Sequence, residues 1–101
     1  MRQQNAILIE GNVTQEPEVT AMASGTKVCR FNIACNDEHE ASFFTVSVKG
    51  ELAALLGLSL TRGCAVRVTG RLYQERWETP EGEKRSKVVI RAHEVGIGVK
   101  A

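Results

Sequence analysis

Residues 27–36 alternate with a period of two. Cys29, Phe31, Ile33 and Cys35 fall on one face, and Val28, Arg30, Asn32 and Ala34 on the other. Residues 42–49 repeat the pattern, with Phe44, Val46 and Val48 set against Phe43, Thr45, Ser47 and Lys49. In residues 64–73, Val66, Val68, Gly70 and Leu72 alternate with Arg67, Thr69, Arg71 and Tyr73. Successive side chains of a strand point to opposite faces, so each segment is predicted to be a strand with one buried face. Cys29, Phe31, Ile33, Cys35, Phe44, Val46, Val48, Val66, Val68 and Leu72 are the predicted core. Phe43 is left as an aromatic on a polar face, beside Thr45 and Lys49.

The remaining elements fall around these three strands. Residues 6–13 form an apolar run with a bend or bulge at Gly11. Residues 16–22 continue extended, with Pro17 at an edge or bend, and Ser24-Gly25-Thr26 is a turn. Residues 36–40 are a polar loop. One stretch, residues 51–60, has helical spacing through Leu52, Leu55, Leu56 and Ser59, with Glu51 in its first turn and Gly63 as a C-terminal cap. Residues 70–90 read as a strand, a long hairpin turning at Pro80 and Gly82, and a returning strand. The final strand is expected over residues 86–92, with a short extension to Ala101. No repeat, linker or low-complexity segment is present. The expected fold is all-β: a five-stranded Greek-key OB-fold barrel with one short helix between strands 3 and 4, of the kind whose strand face and loops bind oligonucleotides.

The hairpin concentrates the chemistry. Its arms carry Tyr73, Arg76, Trp77, Lys84, Arg85 and Lys87, including the only Trp and the only Tyr of the chain. An exposed Trp among cations suits stacking on a base with phosphate pairing beside it. A Trp folded back as a cap on the sheet is the other reading, and the segment alone does not separate the two.

Composition sets limits. With 101 residues, the chain makes one domain, 1–101, with a modest core. Aromatics are only 5% of it, so each exposed one carries weight. No apolar run approaches a membrane span and no secretory signal precedes the first strand. Three cysteines, Cys29, Cys35 and Cys64, form no Cys-x-x-Cys pair, which fits buried thiols in a reducing cytoplasm. Zinc would need His39 or His93 as a further ligand, and no metal or other cofactor is expected. The net charge is +1, but its distribution is uneven. Residues 1–61 hold four basic and seven acidic side chains (−3), and residues 62–91 hold eight and four (+4). Such asymmetry fits one cationic surface for a polyanion, against a mixed and solvated one. Asp37, Glu38, His39 and Glu40 cluster, but neighbours in an extended run point apart, and no nucleophile triad or phosphate-cradling glycine loop accompanies them. The chain is not expected to be an enzyme.

Taken together, the segments resemble the bacterial single-stranded DNA-binding proteins. The resemblance rests on residues 5–13, Pro17-Glu18-Val19, Ser24-Gly25-Thr26, Val28 with residues 31–34, Phe43-Phe44-Thr45-Val46, residues 50–53, residues 63–66, Gly70-Arg71-Leu72, and Arg76-Trp77 followed by Gly82 and Arg85. It implies an OB-fold homo-oligomer, usually a tetramer, that wraps single-stranded DNA without reading its sequence and supports replication, recombination and repair. It implies base stacking at Phe43 and Trp77 and phosphate contacts at Arg2, Arg76 and Arg85. With the polar strand faces and hairpin arms, the candidate DNA-facing set is Trp77, Phe43, Arg76, Arg85, Tyr73, Arg71, Lys49, Thr45, Arg30, Lys84, Lys87, Arg2 and His39.

Three departures stand out. The positions of His39 and Lys49 are often aromatic in the family, so electrostatics should weigh more here. The loop after Asn36 is short. The sequence ends at Ala101 without the acidic-tipped tail that recruits repair and replication proteins. The last point also fits a primosomal replication protein N type, a tail-less dimeric OB-fold whose protein contacts matter more than DNA coverage.

Overall fold

β1 (Ile7–Val13) serves two partners. Its residues 7–12 run antiparallel to β5 (Ala65–Glu78), and its last two residues, Asn12 and Val13, oppose Ala34 and Ile33 of β3 (Lys27–Asn36). The crossing is at Gly11, where a Cβ would strike the Ala34 carbonyl oxygen, so only glycine lets the two backbones meet. The predicted bend at Gly11 is this crossing. It closes the sheet, whose order is β1-β5-β6-β4-β3-β2, with β2 (Glu18–Ala21), β4 (Ala41–Lys49) and β6 (Lys84–Ile97). β4 and β6 run parallel through Val46↔Ile90 and Ser47↔Arg91, and all other pairings are antiparallel. α1 (Glu51–Ser59) follows β4. This computed structural model describes residues 3–98, and it is an OB-fold. It has six strands where the sequence reading counts five, because residues 18–21 pair with β3 as a strand of their own.

The core lies inside this closed sheet. Val13, Cys29, Phe31, Ile33, Val46, Val48, Val66, Val68 and Ile90 pack with Ala53, Leu56 and Leu60 from the helical segment. Burial raises the Cys29 thiol pKa. Three predicted core residues lie nearer the surface. Cys35 is half-buried, and Phe44 and Leu72 are exposed. All three have core parity, but they lie outside the buried cluster, where the strands run on past the barrel wall. The helix keeps part of the predicted face, with Leu56 buried and Leu52 packed against the core, but not Leu55 or Ser59. Ala53 and Leu56 are buried, while Leu55 is exposed and Leu58 is 88% exposed. Gly57 lies against Val19 of β2, so close that a Cβ there would overlap it. That approach sets the rotation of the helix about its axis.

β6 is longer than expected and runs to Ile97. It continues past residue 92 through a bulge, since Thr69 opposes Glu94 while Gly70 opposes Ala92, leaving His93 as the extra residue. Gly70 is required there, because a Cβ would collide with the Arg91 backbone.

Candidate nucleic-acid interface

The β5–β6 hairpin has its own tip chemistry. Gly82, with φ 86°, makes the turn, and its N–H donates to the Thr79 carbonyl at 2.9 Å. The ladder then places Trp77 opposite Arg85, Glu75 opposite Lys87, Tyr73 opposite Val89 and Arg71 opposite Arg91. These odd-numbered pairs share one face, since cross-strand partners point the same way. Trp77 is 49% exposed. It lies outside the core cluster, with about half of its surface open to solvent.

The face continues onto β4 and β3. Arg30, Ser47, Arg91 and Arg71 form one row across four strands. Asn32 and Thr45 belong to the next row, and Ala34 and Phe43 to the one beyond. Phe43 is 68% exposed and lines a shallow depression with Lys87, Val88 and Asn32. Aromatic rings and cations thus alternate along one surface, from Trp77 and Arg85 at the hairpin to Phe43 and Lys87 on the barrel.

Several candidates are already engaged. Arg30 donates from Nη1 and Nη2 to the two carboxylate oxygens of Glu75, at 2.8 and 2.9 Å. This bidentate pair reaches over β4 and β6, which lie between its partners in the sheet. Beneath it Thr45, Ser47 and Val89 are buried, although Val89 is outside the main core cluster. The Arg30 hydrogen bonds hold the Glu75 carboxyl below the usual carboxylate range; partial burial opposes this, and the charges of Arg30, Lys87 and Arg91 reinforce it. The same bonds raise the Arg30 pKa, and burial opposes them. Thr45 is buried with its hydroxyl donating to Asn32 Oδ1 at 2.8 Å, so it lies under the surface rather than on it. Tyr73 carries the Arg91 guanidinium 3.2 Å from its ring centroid, which leaves one ring face occupied.

The other candidates point to solvent. Arg76 lies on the opposite hairpin face, donating to Gln74 Oε1 at 2.8 Å, and Arg85 pairs with Glu83. Among the described residues, Lys49, Arg71, Lys84 and Lys87 form no ion pair. His39 sits in the 36–40 loop, where Asp37 Oδ1 accepts the backbone N–H groups of His39 and Glu40 at 2.9 Å each. Those two bonds lower the Asp37 pKa. His39 is therefore displayed on an ordered turn, 3.9 Å from Glu38. Arg2 lies outside the described residues. Arg91 shares this face but is not in the candidate DNA-facing set, and His93, weighed only as a zinc ligand, lies just beyond the predicted end of the strand. Arg91 has the parity of Tyr73's partners, and that signal was available once the hairpin register was fixed.

The family model described as "Single-strand binding protein family" matches residues 4–97. The chain belongs to the single-strand binding protein family. Among curated relatives, it is 40% identical to the "Single-stranded DNA-binding protein" of Corynebacterium glutamicum, over 89% of this chain and 45% of that one. It is 37% identical to the protein of that name from Mycobacterium leprae (93% of this chain, 62% of the other) and 38% identical to that from Aquifex aeolicus (92% and 69%). The chain thus spans about half to two thirds of the length of these relatives. The family match covers every described strand and the helix. Among the described residues no helix is long and apolar enough to cross a membrane, and no group of three or more His, Cys, Asp or Glu is placed to hold a metal ion.

Proposed function

We propose that this chain binds single-stranded DNA without reading its sequence, by stacking bases on Trp77 and Phe43 and pairing phosphates with the surrounding cations, with no catalytic step. The observation that carries the reading is the half-exposed Trp77 directly opposite Arg85, on a face shared with Phe43 and Lys87. Every base has a π-face, so such a surface is tolerant of sequence. Relatives named single-stranded DNA-binding protein support it. Coating of exposed strands would serve replication, recombination and repair in the bacterial cytoplasm. The working form is a symmetric homo-oligomer, a tetramer rather than a dimer. Residues 7–11 of β1 support association into an oligomer, since they pair only with β5 and leave the other backbone edge open, with Leu8 exposed.

The test is a titration of tryptophan emission with poly-thymidine. Since Trp77 is the only Trp, all of the signal comes from this position. Strong, saturable quenching is expected. An emission that saturating DNA leaves unchanged would take Trp77 out of the interface.

A further inference from the structure

Further along the face that carries Trp77, several cations form no ion pair among the described residues. Where β4, β5 and β6 meet, a pocket of about 410 Å³ is lined by Lys49, Arg71, Arg91 and His93, with Ser47 and Leu52. No carboxylate lines it. Arg71 and Arg91 are direct cross-strand partners, an arrangement that costs stability because like charges face each other. Glu75 lies within electrostatic reach of Arg91, but both of its carboxylate oxygens are taken by Arg30. The ion pairs of the described residues take up Arg30, Arg67 and Arg85, and none involves Arg71, Arg91 or Lys49. Glu94 lies beyond the bulge opposite Thr69 and does not line the pocket. Two features pre-organise the pair. Tyr73 holds the Arg91 guanidinium over its ring. The His93 bulge lets the ladder close around Gly70 beside the Arg91 backbone.

A guanidinium pair that forms no direct ion pair and faces a solvent-filled pocket matches a phosphate, whose oxygens accept from both forks. We propose that the Arg71–Arg91 pair, with Lys49 and His93 around it, is a discrete phosphate-binding subsite that takes one phosphodiester of a bound single strand. The proposal rests on the single-strand reading above. It extends the track along β5 from Trp77 to Arg71, about 20 Å at the rise of a strand, and onto the side of the barrel beside Leu52. The like-charge cost in the free protein is then offset in the complex, by the anion that binds between the arginines.

The experiment compares the salt dependence of poly-thymidine binding for the unaltered protein, R71Q/R91Q and R67Q. Arg67 points outward from the same strand, but it pairs with Glu10 and lies outside the pocket. For a single strand the slope of log K against log salt is about −0.7 per neutralised phosphate. R71Q/R91Q should shallow it by about 0.7 and weaken low-salt binding about tenfold, while Trp77 quenching at saturation is retained. R67Q should leave the slope unchanged. Because Arg91 packs on Tyr73, the single exposed change R71Q is measured beside the double one. It should shift the slope in the same direction with an unaltered melting temperature. An R71Q slope equal to that of the unaltered protein overturns the subsite. So does an equal shift in R67Q, which would mean that only overall charge matters. Failure of the unaltered protein to bind or quench overturns instead the single-strand reading on which the subsite rests.

Discussion

Trp77 and Glu75 are two positions apart on one strand face and do opposite things. Trp77 is held only by the hairpin and stays open. Replacing it with alanine should weaken DNA binding by about 1–3 kcal/mol per stacked base, while the melting temperature barely moves because little core is lost. A calorimetric scan showing a loss of several degrees would mean that the indole supports the fold. Glu75, by contrast, is bound at both oxygens by Arg30. Its folded pKa is depressed, so its contribution to stability is present above the unfolded value, roughly 4.3, and is lost as the pH falls through the folded value below that. Glu75→Gln should therefore lower the melting temperature near neutral pH, and the gap from the unaltered protein should close on acidification below about pH 4. A gap that is the same at all pH values would show that the ion pair contributes nothing. The sequence lists Arg30 as a cation for DNA, yet its partner is 45 residues away. No local pattern reveals that pairing.

At the scale of elements, the helix shows how far periodicity reaches. Leucines at 52, 55, 56 and 58 leave several rotations of α1 equally apolar, and the pattern alone cannot choose between them. Contact of Gly57 with Val19 chooses. Leu56→Ala should cost about 2–5 kcal/mol in denaturant unfolding, as a large-to-small core change does. Leu58→Ser should stay within about 0.5 kcal/mol. Equal costs would mean that the exposed face is covered in the working form of the protein. The strands were more legible. Alternation in residues 27–36 and 42–49 matched the buried sets except at Cys35 and Phe44, which are less buried than predicted, and at Thr45 and Ser47, which are buried from the other face beside the Arg30–Glu75 pair. β6 was read short because a bulge at His93 breaks the period of two.

The described residues form a closed barrel with a projecting hairpin and a half-open edge on β1, while β2 ends the sheet at the other side. Burying a polar edge by pairing it with another copy is a common outcome for such a strand. Light scattering at micromolar concentration should give the mass of a tetramer. A monomer there would leave the open edge of β1 and the exposed Leu8 unexplained, and a dimer would match the smaller of the two assemblies considered.

Sequence by itself determined five of the six strands, though not the full length of the last, along with the position of the helix, the basic hairpin and the family resemblance. These depend on local alternation, turn residues and short segments, all of which are written within about twenty residues of chain. Only the tertiary structure decided which cations remain free. Arg30 is neutralised by Glu75 across two intervening strands, while Arg71 and Arg91 are set face to face with no acid between them. Both outcomes depend on which strands lie side by side and in what register. Register is fixed by the closure of the barrel at Gly11 and by the bulge at His93, through contacts between residues far apart in the chain.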